Sequence, residues 1–137
     1  MTDILVSKDD GQVVTLTLND APANCLTMEM MSAIKMEIDR VNKSKDHKLV
    51  IFESSNEKIF CSGHSFNEVQ EMIKNNDKKS QELLFAECSE MLMKIRTSPK
   101  IFVAKVRGIA TAGGLGLVSI MDCVFSSKSA RFALGGI

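Results

Sequence analysis

The chain has 137 residues, enough for one domain with a real core and too few for two. Seventeen basic residues balance seventeen acidic ones, which gives no case for nucleic acid or an anionic membrane as partner. Hydrophobic content of 45% and charged content of 25% are ordinary for a globular domain. The N-terminus carries acids and no apolar run, so neither a secretory signal nor an organelle presequence is expected. No apolar stretch reaches membrane-spanning length, so no membrane span is expected. Cys25, Cys61, Cys88 and Cys123 are widely spaced without a C-x-x-C. That spacing argues against a metal site and for reduced thiols, so a cytoplasmic location is expected.

Asp10-Gly11 separates two apolar runs, residues 4–7 and 13–18, and predicts a hairpin. In the second run Val14, Leu16 and Leu18 alternate with threonines, giving one buried face. Pro22 breaks regular structure. Thr27 then suits the N-cap of a helix whose stripe is Met31, Ile34, Ile38 and Val41. A buried strand over 49–52 and a loop over 53–63 follow. Ser65 and Glu68 form a capping-box pair for a short helix through Val69 and Ile73. Residues 74–80 are polar and expected to be mobile. A longer helix with Leu84, Cys88, Met91 and Ile95 on one face stops at Ser98-Pro99. Beyond it lie a strand over 101–106, a glycine turn, a helix to about Met121 and a strand over 123–125. Strands alternating with helices predict an α/β fold with a parallel or mixed sheet.

Residues 101–122 are the most informative segment. An apolar strand passes through Arg107-Gly108, enters Ala110-Thr111-Ala112-Gly113-Gly114 and continues as an apolar helix. Such a turn presents bare peptide N–H groups, and glycine leaves room for a ligand's carbonyl to approach. A phosphate-binding P-loop is excluded, because Gly114-Leu115 stands where Lys-Ser/Thr must be. A dinucleotide fingerprint from Gly114 fails because Ser119 replaces its third glycine. Residues 58–66, KIFCSGHSF, form a second turn of small residues that leads into a capped helix. Two such turns, fed by strands of one sheet, can aim their N–H groups at one point and stabilise an oxyanion.

Together these pieces resemble the crotonase family, the enoyl-CoA hydratase and isomerase superfamily. The resemblance rests on residues 13–18 followed by Pro22-Ala23-Asn24-Cys25-Leu26, on residues 58–66, on residues 103–122, and on Ala130-Arg131-Phe132-Ala133. It implies a spiral of β-β-α units of the ClpP/crotonase type. It further implies that residues 1–137 are a front portion, ending before the C-terminal helical layer.

The resemblance also implies a site. An acyl-CoA thioester carbonyl would sit between the peptide N–H groups of His64 and Gly113, with no catalytic role assigned to the imidazole. Coenzyme A would enter as part of the substrate, not as a tightly bound cofactor. It would lie against Asn24, Leu26, Cys61 and Ser62, with Lys58 near its phosphates. Two catalytic glutamates of the family's hydratases map onto Gly116 and Gly136, which have no side chain to move a proton. Asp122 and Glu68 are the nearest spare carboxylates, and they match structural positions. The expected function is acyl-CoA binding at a backbone oxyanion hole. The alternative is a non-catalytic acyl-CoA sensor or an interaction subunit. A homo-oligomer or association with a related subunit is the expected assembly.

Overall fold

A computed structural model describes residues 3–135. The chain forms β1 (Leu5–Asp10), β2 (Val13–Leu18), α1 (Met28–Lys43), β3 (Leu49–Ser54), β4 (Ile59–Cys61) and α2 (Phe66–Lys74). It continues with α3 (Lys78–Thr97), β5 (Ile101–Val106), β6 (Ile109–Thr111), α4 (Gly113–Ser119), β7 (Cys123–Ser126) and β8 (Arg131–Ala133). A five-stranded sheet has the order β1-β2-β3-β5-β7, and a three-stranded sheet has the order β4-β6-β8. Among the described residues only β1 and β2 pair antiparallel, and every other pairing is parallel. Parallel neighbours need a crossover, and α1, the α2–α3 pair and α4 supply it. Each later turn of the spiral places one strand in each sheet: β3 and β4, β5 and β6, β7 and β8.

Alternation builds the large sheet. Val14, Val50 and Phe102 align in one row across three strands, and Leu16, Phe52 and Ala104 in the next. All six side chains are fully buried. The Phe52 and Phe102 rings meet at 6.3 Å between centroids. Helix α1 lays Met30, Met31, Ile34, Ile38 and Val41 into the core. Its start is fixed by Thr27, whose hydroxyl accepts from the Met30 N–H at 3.1 Å. Leu84, Met91 and Ile95 of α3 complete the layer, and Lys35 of α1 pairs with Glu87 and Glu90 of α3.

The small sheet obeys different rules. Its strands are three residues long, and β4, β6 and β8 were not distinguishable from loop by pattern. Backbone contact holds them together. A Cβ on Gly108 would lie 2.4 Å from the Lys58 carbonyl carbon, and one on Gly114 would lie 2.1 Å from the Cys61 carbonyl oxygen. Gly114 therefore serves packing of α4 onto β4, not the approach of a ligand. Between Ile59 and Cys61 the β4–β6 register shifts by a bulge, which frees the Phe60 carbonyl to accept from Asn24 Nδ2 at 3.1 Å.

Two local expectations are corrected. Residues 74–80 are taken up by helix ends: Asn75 caps α2, and Asp77 caps α3 by accepting from the Ser80 N–H at 3.0 Å. The Ser80 hydroxyl, followed by that backbone N–H, holds the Asp77 carboxyl below its ordinary pKa. The capping box is half formed. Ser65 accepts from the Glu68 N–H, but the Glu68 carboxylate turns to the Met28 N–H at the start of α1, at 3.4 Å. Asp122 holds the structural place expected of it, accepting from the Phe102 N–H at 2.8 Å.

Candidate functional site

The site lies beyond the C-terminal ends of β4 and β6, where ligands commonly bind in parallel sheets. His64 follows β4 and precedes the Ser65 cap of α2; Gly113 follows β6 and opens α4. The two loops touch. A Cβ on Gly63 would lie 2.8 Å from the Gly113 nitrogen, and one on Gly113 would lie 3.7 Å from the His64 nitrogen. Neither N–H donates a hydrogen bond among the described residues. Both are thus open donors on one small patch.

The backbone before Gly113 is constrained. Ala112 sits at φ 50°, ψ −123°, a left-handed conformation that L side chains rarely adopt. Such strain costs on the order of 1–3 kcal/mol and persists only where the surroundings impose it. Here the Ala112 N–H donates to the Ala133 carbonyl at 3.1 Å, and its C=O accepts from Gly116 at 3.1 Å. The peptide that carries the Gly113 N–H is thereby fixed from β8 on one side and α4 on the other.

Segment 23–26 braces the other loop. The Ser62 N–H donates to Ala23 O at 3.1 Å, and the Leu26 N–H donates to Gly63 O at 2.8 Å. Leu26 also accepts at its carbonyl from His64 Nδ1 at 3.2 Å, and its buried side chain lies below Gly113. Asn24 is 1% exposed, and its φ of 48° is one that asparagine tolerates. Its Oδ1 accepts from the Asp20 N–H at 2.7 Å, and its Nδ2 donates to Ser54 Oγ at 2.8 Å. Both residues act on this geometry by holding the loops.

The remaining expected residues fall nearby. Cys61 is buried, and burial pushes its thiol from the ordinary 9.0 up to about 12, which keeps it protonated and unreactive. Ser62 Oγ lies 3.3 Å from Cys25 Sγ, both half-buried. Lys58 is exposed at the foot of β4, at the opposite end of that strand from His64. Gly116 lies one turn into α4, and among the described residues nothing comes within 4 Å of a Cβ built there. Gly136 lies outside the described residues. Phe85 of α3 was not anticipated; its ring meets the His64 imidazole edge-on at 5.6 Å. An exposed phenylalanine on a helix gives no sequence signal for that contact. A surface depression lies elsewhere, on α2 around Asn67, Gln70 and Lys74.

Residues 8–137 match the family model described as enoyl-CoA hydratase/isomerase. Enoyl-CoA hydratase domain-containing protein 3, mitochondrial, of Rattus norvegicus is 31% identical over 130 residues, which are 95% of this chain and 42% of that protein. The 3-hydroxyisobutyryl-CoA hydrolase, mitochondrial, of Danio rerio is 32% identical over 108 residues, covering 78% and 28% of the two chains. Among solved structures, an enoyl-CoA hydratase of Mycobacterium smegmatis aligns with a TM-score of 0.89 at 33% identity, over 97% of this chain and 51% of that one. Human enoyl Coenzyme A hydratase domain-containing protein 3 aligns with a TM-score of 0.88 at 26% identity, over 96% and 51%. The chain spans about half the length of these relatives or less. With the spiral of paired strands described above, these matches place the chain in the crotonase, or enoyl-CoA hydratase/isomerase, family.

Proposed function

We propose that this chain holds acyl-CoA thioesters by their carbonyl oxygen, which accepts from the peptide N–H groups of His64 and Gly113. One observation carries the reading: two N–H groups from separate loops lie side by side without partners of their own. Unpaired donors fixed in advance suit an oxygen that gains negative charge. The coenzyme A portion lies over the surface at Ser62, which the buried Asn24, Leu26 and Cys61 support from beneath, with Lys58 beside its phosphates. It comes with the substrate, and no tightly bound cofactor takes part. Self-association or pairing with a related subunit, and a cytoplasmic location, belong to the same proposal. Four unpaired thiols fit a reducing compartment, although the relatives named above are mitochondrial. Among the described residues no helix is long and apolar enough to cross a membrane.

Hydration by two carboxylates is not part of this function, because glycine occupies both matching positions. The bare Gly116 is also what favours the second reading, a sensor that binds acyl-CoA without turnover.

Calorimetry with butyryl-CoA and with S-butyl-CoA, the thioether that lacks the carbonyl, tests the proposal. Each neutral hydrogen bond contributes about 0.5–1.5 kcal/mol net, so the ester should bind about tenfold tighter than the ether. Equal affinities, or binding of neither, would overturn it.

A further inference from the structure

The loop that offers the His64 N–H also holds the His64 side chain in a defined state. Nδ1 lies 3.2 Å from the Leu26 carbonyl oxygen. A carbonyl can only accept, so the shared proton belongs to Nδ1, and the lone pair of the neutral ring falls on Nε2. Among the described residues Nε2 has no hydrogen-bond partner, and it is not among the buried atoms left without one, so it reaches solvent. The edge-on contact with Phe85, 5.6 Å between centroids, fixes the ring from the α3 side. Orientation through one nitrogen leaves the lone pair on the other free to take a proton, as a general base must.

The two carboxylates nearest in sequence are each held in a structural hydrogen bond through one oxygen. Asp122 is engaged with the Phe102 N–H. Glu68 accepts from the Met28 N–H through Oε1, and its Oε2 is sealed from solvent. Gly116 has nothing to offer. His64 alone among these joins an open proton acceptor to an open peptide N–H on the same residue.

We infer that the His64 imidazole is the base of this site, removing a proton from the carbon next to the thioester carbonyl. This rests on the carbonyl-binding reading above. The Cα–H bond breaks and its proton goes to Nε2. The bonding pair becomes the new C=C bond, and the carbonyl π pair moves onto oxygen, where the His64 and Gly113 N–H groups receive it. Return of the proton from the imidazolium restores the thioester. In heavy water the imidazolium exchanges with solvent, so the returning nucleus is deuterium. No oxidant or co-reactant is needed.

The test is deuterium uptake at the α-carbon of butyryl-CoA in heavy water, read by mass spectrometry, beside calorimetry on the same samples. His64→Asn keeps an amide N–H where Nδ1 stands and leaves nothing at Nε2. A positioned base contributes about 100-fold or more, so His64→Asn should lower exchange by at least that factor while the butyryl-CoA affinity changes by about threefold or less. Exchange by His64→Ala should recover in part when imidazole is added, which a merely structural histidine would not allow. Should the asparagine variant fail to fold by circular dichroism, His64→Gln supplies the comparison. Wild type that binds butyryl-CoA without exchanging its α-protons would overturn this inference and leave the binding proposal standing. Exchange that persists in the folded variants would overturn it too. Wild type that neither binds nor exchanges would remove both.

Discussion

The two sheets of this molecule are fed by the same turns of chain and yet are built on different principles. The large sheet is made by side chains: rows of Val14, Val50 and Phe102, and of Leu16, Phe52 and Ala104, bury one face against α1 and α3. The small sheet is made by backbone. Its strands are brought together where Gly108 and Gly114 allow carbonyls to touch Cα positions, and its C-terminal ends carry the open N–H groups of His64 and Gly113. Stability and chemistry are thus separated in space. The core tolerates no missing ring, and the small sheet tolerates no added methyl at Gly108 or Gly114.

That contrast is tested most strongly by one substitution on each side. Phe52→Ala empties a fully buried ring position and should cost about 3–5 kcal/mol in urea unfolding. Whatever fraction stays folded should bind acyl-CoA with unchanged affinity. Asn24→Ala strips partners from the Asp20 N–H, Ser54 Oγ and Phe60 O. Each buried group left without a partner costs about 1–3 kcal/mol, and acyl-CoA binding should fall with it because the 62–64 loop loses its brace. If Phe52→Ala weakens binding in the folded fraction as much as Asn24→Ala does, the separation of the two sheets is wrong.

Cys61 gives a pH signature of the small sheet. Its folded pKa is raised from 9.0 to about 12, so between these values the folded thiol keeps a proton that the unfolded thiol loses. The unfolded state then binds fewer protons, and stability falls as pH rises through that window. Cys61→Ala should flatten the alkaline limb of a stability–pH profile, measured by urea unfolding. An unchanged limb would contradict the burial of that thiol.

The smallest effect is expected at Gly116. A Cβ there meets nothing within 4 Å, and replacing a mid-helix glycine gains about 0.5–1 kcal/mol. Gly116→Glu should therefore fold at least as well as wild type. Hydration of crotonyl-CoA, followed by loss of enoyl-thioester absorbance, should be absent in wild type. It should remain far below that of two-carboxylate enzymes in the variant, because Gly136 is still a glycine. Efficient hydration by the wild type would show that these glycines do not mark the catalytic positions.

The same contrast explains what was readable from residues alone. Alternation in Val14, Leu16 and Leu18, the Thr27 cap and the Leu84–Met91–Ile95 spacing carry their own periodic signal, and the large sheet and its helices follow from them. Strands of three residues contain too few positions for a period to show, so β4, β6 and β8 were not foreseen as a sheet. Gly108 and Gly114 stood out as glycines, but the carbonyls they admit come from residues about fifty positions away. The left-handed Asn24 and its clasp on the Phe60 bulge are equally non-local. The Glu68 carboxylate was misassigned for a related reason: its own cap was the nearest partner in sequence, and the start of α1 was the nearest in space. His64 and Gly113 were selected through a resemblance, and the state of the His64 ring depends on Leu26, which no spacing rule connects to it.

The most direct measurement of the carbonyl clamp is a comparison of butyryl-CoA and free CoA binding to wild type and Gly113→Pro. Proline removes the Gly113 N–H and sets a ring beside the His64 nitrogen, and it is tolerated at the first position of a helix. Circular dichroism establishes that the variant is folded. Calorimetry should then show butyryl-CoA losing about tenfold or more in affinity while free CoA, which has no carbonyl to hold, changes little. Equal losses for the two ligands, or full retention of butyryl-CoA affinity, would contradict a clamp made from the N–H groups of His64 and Gly113.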